Sequence, residues 1–253
     1  MNDVLWVTGD SSGLGLALCD EAHRRGTQVY GVSRRQMSVA WNHLTMDLAR
    51  PEDCLRLARI VADSVPPTDT RLRFVHCAAS IGPLGFAGTV ADMDALFANI
   101  MLNSVAPQLL GHALLRELNQ RDFRSQFELV LVSSSAPRNA LPGWSSYVAG
   151  KAAMNAWVTS VGKEPDVHSF DLFVVSVEPG IIDTPMQDEI RNSDESRFPN
   201  RARFEDLHRS GRLRPPTAVA MELLALLDRG VANGAHIVLE ESRAAAEPDP
   251  LDM

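Results

Sequence analysis

Tyr147 and Lys151 stand four residues apart in "SSYVAGKAAMNAW", a stretch whose pattern predicts a helix over 145–163. Residues at that spacing share one helix face. A free phenol titrates near about 10. An ammonium and a cationic ligand ring close by would lower that value until the phenol can give or take a proton near neutral pH. Ser134 lies 13 residues before Tyr147, directly after the apolar run "FELVLVS", which predicts a strand over 127–133. Its hydroxyl can hydrogen-bond the oxygen on which Tyr147 acts and support the charge developing there. A bare Tyr–x–x–x–Lys pair arises by chance on many amphipathic helices; the serine upstream makes the set specific.

A second cluster opens the chain. "VTGDSSGLGLAL", residues 7–18, places Gly9, Gly13 and Gly15 where a first strand would hand over to a first helix, with Ser11, Ser12 and Leu14 between them. A helix N-terminus there offers unpaired N–H groups and a positive dipole end, which suits a pyrophosphate. The spacing is GxxxGxG, and the same glycines would also serve a turn that only packs helix on strand. After the next predicted strand comes "SRR" (33–35). A carboxylate at that place would bind the ribose 2′-hydroxyl of NAD, whereas Arg34 and Arg35 suit the 2′-phosphate of NADP(H). Asp47, after the third strand, is a candidate acceptor for the adenine amino group.

The elements that must position these groups are legible as alternation. Apolar runs at 4–8, 28–33, 43–46, 72–77, 127–133, 172–179 and 235–240 are rich in β-branched residues and apolar on both faces, as in a buried parallel sheet. Helical patterns fill the gaps at 13–25, 51–64, 91–119 (long or broken, with Pro107 as a kink), 145–163 and 217–229. Strand–helix alternation predicts an α/β fold, a Rossmann-type doubly wound sheet of seven parallel strands in one domain over 1–240. The charge-mixed segment 186–216 is expected to be a long substrate loop or lid, and 241–253 a frayed tail.

Bulk composition narrows the classes. Net charge is -8 in 253 residues, which argues against a nucleic-acid or anionic membrane surface as partner. Cys19, Cys54 and Cys77 are odd in number and far apart, so neither a disulfide framework nor a zinc site is expected. The histidines show no metal-ligand spacing and read as surface or strand-end residues. With no signal-peptide pattern at the start and no run near the ~20 apolar residues of a membrane helix, a soluble cytoplasmic protein is expected.

"TGDSSGLG" (8–15), Asp47-Leu48, "NSVAP" (103–107), "VSSS" (132–135), "YVAGK" (147–151) and "EPGIIDTPM" (178–186) stand in one order along nearly the whole chain. Together they resemble the classical short-chain dehydrogenases/reductases. The resemblance implies that Ser134 orients a carbonyl, Tyr147 is the acid/base, and Lys151 holds the nicotinamide ribose and lowers the tyrosine pKa. It implies a relay water at Asn103, and Pro179, Gly180, Ile182 and Thr184 lining the nicotinamide. Where the family has NNAG this chain has "HCAA" (76–79), so Cys77, Ala78 and Ala79 are expected to contribute main-chain contacts to the adenosine, with Cys77 a small apolar residue rather than a redox centre.

Within the family, "PGWSSYVAGKAA", "PGIIDTPMQDEIR", "FEDLHRSGRLRPP" and "GAHIVLEE" resemble the sepiapterin reductase branch with its bacterial benzil-reductase-like members, which reduce vicinal dicarbonyls with NADPH. Sepiapterin reductases carry an acidic residue in the last strand; Val238 stands there, and Glu240 falls one step further out on the same face. The expectation shifts to an apolar dicarbonyl or ketone, in a pocket built from Trp144, Met186, Ile190 and the 186–213 segment. The resemblance also implies a homodimer paired through its long helices. Competing expectations are an NAD(P)-dependent alcohol dehydrogenase, a tailoring ketoreductase, or a non-catalytic NADP-binding regulator. The last predicts a decayed acid/base set, yet Ser134, Tyr147, Lys151 and Asn103 are all present.

Overall fold

Side chains alternate across a strand, and here both sides are apolar. In β1 (Asn2–Thr8), Val4 and Trp6 join one buried cluster while Leu5 and Val7 join another. In β5 (Gln126–Val132), Leu129 and Leu131 oppose Val130 and Val132 in the same way. Such strands need a helical layer on each face. The computed structural model, which describes residues 2–164 and 167–239, supplies both. α1 (Gly13–Arg24) and α8 (Pro216–Asp228) cover one face; α2 (Pro51–Asp63), α4 (Ala106–Gln120) and α5 (Ser145–Val161) cover the other.

The remaining strands are β2 (Gln28–Ser33), β3 (Asn42–Thr45), β4 (Thr70–His76), β6 (Asp171–Glu178) and β7 (His236–Val238). All pair in parallel, in the order β3-β2-β1-β4-β5-β6-β7. This is the expected seven-stranded doubly wound sheet. Strand order reverses between β1 and β4, and the carboxyl ends beside that switch point are where such sheets bind ligands. Glu240 and the tail 241–253 lie outside the described residues.

Two expectations need correction. The pattern over 91–119, expected as a long or broken helix, is broken, but not at Pro107. It is α3 (Met93–Ile100), a five-residue π-helical turn (Met101–Val105) and then α4. Pro107 sits in the first turn of α4, directly after the π turn, and the π turn carries the irregularity. The segment 186–216 is not a structureless loop. It contains α6 (Pro185–Arg191) and α7 (Arg201–Arg209), because Ile190, Phe198, Phe204 and Leu207 bury against Trp144 and Ile81 in a third apolar cluster. Four apolar anchors scattered through a polar segment left no helical period to read.

α4 and α5 meet closely at Gly111, where an added Cβ would lie 2.2 Å from the Trp157 ring. Helix propensity alone favours Gly111→Ala by about 1 kcal/mol, but overpacking costs about 1–3 kcal/mol. Urea denaturation should show the variant less stable than wild type; a more stable variant would contradict this packing.

Candidate active site

Ser133 and Ser134 follow β5 directly, and α5 begins eleven residues after Ser134. The helix delivers Tyr147 and Lys151 to the end of the strand, both buried (7% and 4% exposed). Lys151 Nζ donates to the Val132 main-chain oxygen at 2.7 Å and lies 5.8 Å from the centre of the Tyr147 ring. Ser134 Oγ accepts from the Ala136 N–H at 3.1 Å, which leaves its own proton free to donate. That hydroxyl acts on the Tyr147 phenol to lower its pKa. Sequence reasoning brought these three together and the structure places them together.

Burial raises the Tyr147 phenol above its ordinary value, and the Ser134 hydrogen bond pulls against that. Burial lowers Lys151 to about 8. His76, at the end of β4, is fully enclosed and pushed down to about 3 by burial and then by the Lys151 charge. Burial pushes the Cys77 thiol up to about 12. Tyr147, His76 and Cys77 are therefore all neutral at pH 7, and among the described residues Lys151 has no carboxylate partner. His76 ends its strand as expected, and it is the interior setting of His76 and His43 that the sequence did not show. His76 ends its strand in the interior, bonded to Thr8 Oγ1 at 2.9 Å, and the His43 side chain is only 6% exposed.

Asn103 projects inward from the π turn, but its side chain is taken up by Ser80. Nδ2 donates to the Ser80 oxygen at 2.7 Å, and Oδ1 accepts from the Ser80 N–H at 3.2 Å. Asn99, one turn earlier, donates to the oxygens of Ser80 and Gly82. The two amides brace the 78–82 segment against α3 and the π turn.

The glycine turn lies at the carboxyl end of β1. Gly9 has φ +78°, and a Cβ on it would sit 2.9 Å from the Ala78 main-chain nitrogen. Gly13 has φ +55°, with Thr184 Cγ2 at 2.9 Å from its Cβ position. α1 starts after Ser12 with no side-chain cap and no acidic residue in its first turn, so no side chain among the described residues caps its first N–H groups. A pyrophosphate fits these donors. Arg34 and Arg35 are exposed beyond β2, and neither pairs with a carboxylate among the described residues. Arg35 Nη2 donates to Ser11 Oγ at 3.1 Å. Leu48 is buried; Asp47 Oδ1 accepts from the Ala49 N–H at 3.1 Å. Cys77 and Ala78 donate their N–H groups to Thr8, and Ala79 follows them at the same strand end.

Pro179, Gly180, Ile182 and Thr184 connect β6 to α6. Sequence reasoning missed what holds them. Arg214 Nη1 donates to the Pro179 oxygen at 3.0 Å, its main chain bonds Ile181 and Asp183, and its guanidinium pairs with Glu222. Arg138, after Ser134, pairs with buried Glu178 at 2.7 Å and so ties the ends of β5 and β6 together. No sequence signal marks either arginine, since both act through folded neighbours. Trp144, Ile190 and, at its edge, Met186 share the apolar cluster that contains Tyr147. The Trp144 ring stacks on Phe198 at 4.9 Å and meets Tyr147 edge-on at 5.8 Å. One indole face is thus already covered, while the buried Nε1–H has no partner within the described residues.

Fold and site together define an oxidoreductase of the Rossmann type. Residues 3–195 match the short chain dehydrogenase family, and the chain belongs to it. Over 232 residues it is 30% identical to benzil reductase ((S)-benzoin forming) of Bacillus subtilis (strain 168), with 90% of this chain and 94% of that one covered. It is 27% identical over 238 residues to the benzil reductase ((S)-benzoin forming) of Bacillus cereus, covering 88% and 92%. Among solved structures, a short chain dehydrogenase/reductase from Saccharomyces cerevisiae superposes with a TM-score of 0.80 at 22% identity, covering 95% and 97%. These place the chain near the benzil reductase branch. Among the described residues no helix is long and apolar enough to cross a membrane.

The Lys151 pKa also makes a stability statement. Between about 8 and the ordinary lysine value of about 10.4 the folded chain binds fewer protons than the unfolded one, so this group's contribution to stability rises with pH across that window. Below it, the buried charge is a full penalty. Lys151→Met relieves the penalty but loses a hydrogen bond worth about 1 kcal/mol. The stability of Lys151→Met relative to wild type should therefore be highest near pH 7 and shrink toward pH 10. A difference in urea denaturation that grows with pH would contradict the buried ammonium.

Proposed function

We propose that the protein is an NADPH-dependent carbonyl reductase acting on ketones or vicinal dicarbonyls, with Tyr147 as the acid. The observation that carries this reading is the pairing of a buried, protonated phenol with an unpaired buried ammonium at the strand end beside the glycine turn. When bound, NADPH supplies the hydride. The turn of Gly9, Gly13 and Gly15 with the first N–H groups of α1 would hold its pyrophosphate, and Arg34 and Arg35 its 2′-phosphate. Asp47, Leu48, Cys77, Ala78 and Ala79 would border the adenosine, and Pro179, Gly180, Ile182 and Thr184 the nicotinamide.

The chain's own groups then manage one proton. Ser134 donates a hydrogen bond to the substrate carbonyl oxygen, and Tyr147 gives that oxygen its proton as negative charge builds there. The phenolate left behind is the anion that Lys151 otherwise lacks, and their attraction in a dry site favours the transfer. With the Asn103 side chain engaged by Ser80, a relay water behind Lys151 would rest on main-chain groups of the π turn. Trp144, Met186 and Ile190 give the pocket an apolar wall, which fits an aryl ketone better than a polar pterin. The benzil reductases of the two Bacillus species support the dicarbonyl class. A homodimer and a reducing cytoplasm complete the reading. α3 turns Met93, Phe97 and Ile100 to solvent at i, i+4, i+7, and all three cysteines are free.

The test is NADPH oxidation against benzil, an aliphatic diketone, an aromatic ketone and sepiapterin. Wild type should turn over the diketones and prefer NADPH to NADH. Tyr147→Phe should bind NADPH as wild type does and lose about 10²–10⁴ in kcat. Substantial residual turnover would remove Tyr147 from the acid role, and tight NADPH binding with no turnover on any panel member would favour a specialised substrate or a regulator.

A further inference from the structure

Asp10 stands inside the glycine turn, directly after Gly9, and is fully buried. A buried carboxylate in a phosphate-binding turn opposes an anionic ligand unless its charge is met. Its Oδ2 accepts from Trp41 Nε1 at 3.2 Å and from His43 Nδ1 at 2.8 Å. Across the imidazole, His43 Nε2 lies 3.0 Å from the main-chain oxygen of Arg35. The ring thus bridges a carboxylate oxygen of the glycine turn and a main-chain oxygen after β2. The Ser33 hydroxyl donates to the same Arg35 oxygen at 3.0 Å, and the Arg35 guanidinium returns to Ser11, next to Asp10. The contacts therefore form a closed circuit from Asp10 through His43 and Arg35 to Ser11. β2 leaves room for it: a Cβ on Gly31 would lie 1.8 Å from Asp10 Oδ2.

We propose that His43, seated on Asp10, is a positioning residue for coenzyme discrimination. It fixes the main chain of Arg35, sets where the Arg34 and Arg35 guanidiniums stand relative to the glycine turn, and meets the Asp10 charge so that both arginines stay available to a 2′-phosphate. This rests on the NADPH reading above.

The experiment is calorimetric titration of NADPH and NADH into the full-length wild type, His43→Gln, Trp41→Phe and Arg34→Ala. His43→Gln should weaken NADPH about tenfold, the loss of roughly one charge-assisted hydrogen bond, with NADH within about twofold. Trp41→Phe removes the other donor to Asp10 without touching Arg35, and should leave the NADPH/NADH ratio at the wild-type value. A merely structural role would move both variants alike. Equal weakening of both coenzymes in His43→Gln, or an unchanged ratio, overturns the inference; if that variant does not fold, His43→Asn is read by the same criteria. Should Arg34→Ala shift the ratio while His43→Gln does not, only this inference falls. Should wild type show no NADPH preference and Arg34→Ala no shift, the NADPH reading falls and this inference with it.

Discussion

One buried ammonium constrains the site. Lys151 cannot leave the interior, and the Val132 oxygen is the acceptor that holds it. That bond fixes α5 against the end of β5, which sets Tyr147 one turn earlier over the Ser134 hydroxyl. Among the described residues nothing supplies a counter-ion: His76, Cys77 and Tyr147 are all held neutral by burial. A charge kept unpaired in a poorly solvated place costs stability in the resting protein. It also makes the appearance of a negative charge nearby favourable, and a protein that transfers a proton from a phenol uses the position in that sense.

The sheet gathers this local chemistry at one end of the fold. Ligand-facing groups gather at the carboxyl ends of β1, β4, β5 and β6 because every strand is parallel. The loops that leave those ends are tied to one another. Arg214 holds the 179–183 segment, Arg138 and Glu178 join two strand ends, and Asn99 with Asn103 brace 80–82. Each tie uses a polar side chain that reaches a neighbouring segment. The glycine turn, which meets Ala78 closely at Gly9, and the Tyr–Lys pair therefore share one frame.

What could be read from sequence was what periodicity and spacing carry. Strands apolar on both faces, three glycines at a strand–helix junction, and a Tyr–Lys pair four apart all signal locally. The break over 91–119 was legible, but its form was not, because a π turn has no compositional mark and Pro107 drew the kink to itself. In 186–216, a polar majority hid the four apolar residues that fold it into two helices. Asp10 and His43 were passed over for another reason: they are 33 residues apart, and only the β1–β2–β3 pairing makes them neighbours. Lone aspartates and histidines gain meaning from tertiary contacts that no spacing rule contains.

The central claim is that the buried ammonium and the bound coenzyme together bring the Tyr147 phenol into working range. The chain has two tyrosines, so Tyr30→Phe leaves Tyr147 as the single phenol reporting in an ultraviolet titration. Measured with and without saturating NADP+, its pKa should lie above the ordinary value of about 10 in the free protein and fall when the coenzyme binds. A phenol that titrates at the same pH in both states would contradict the account.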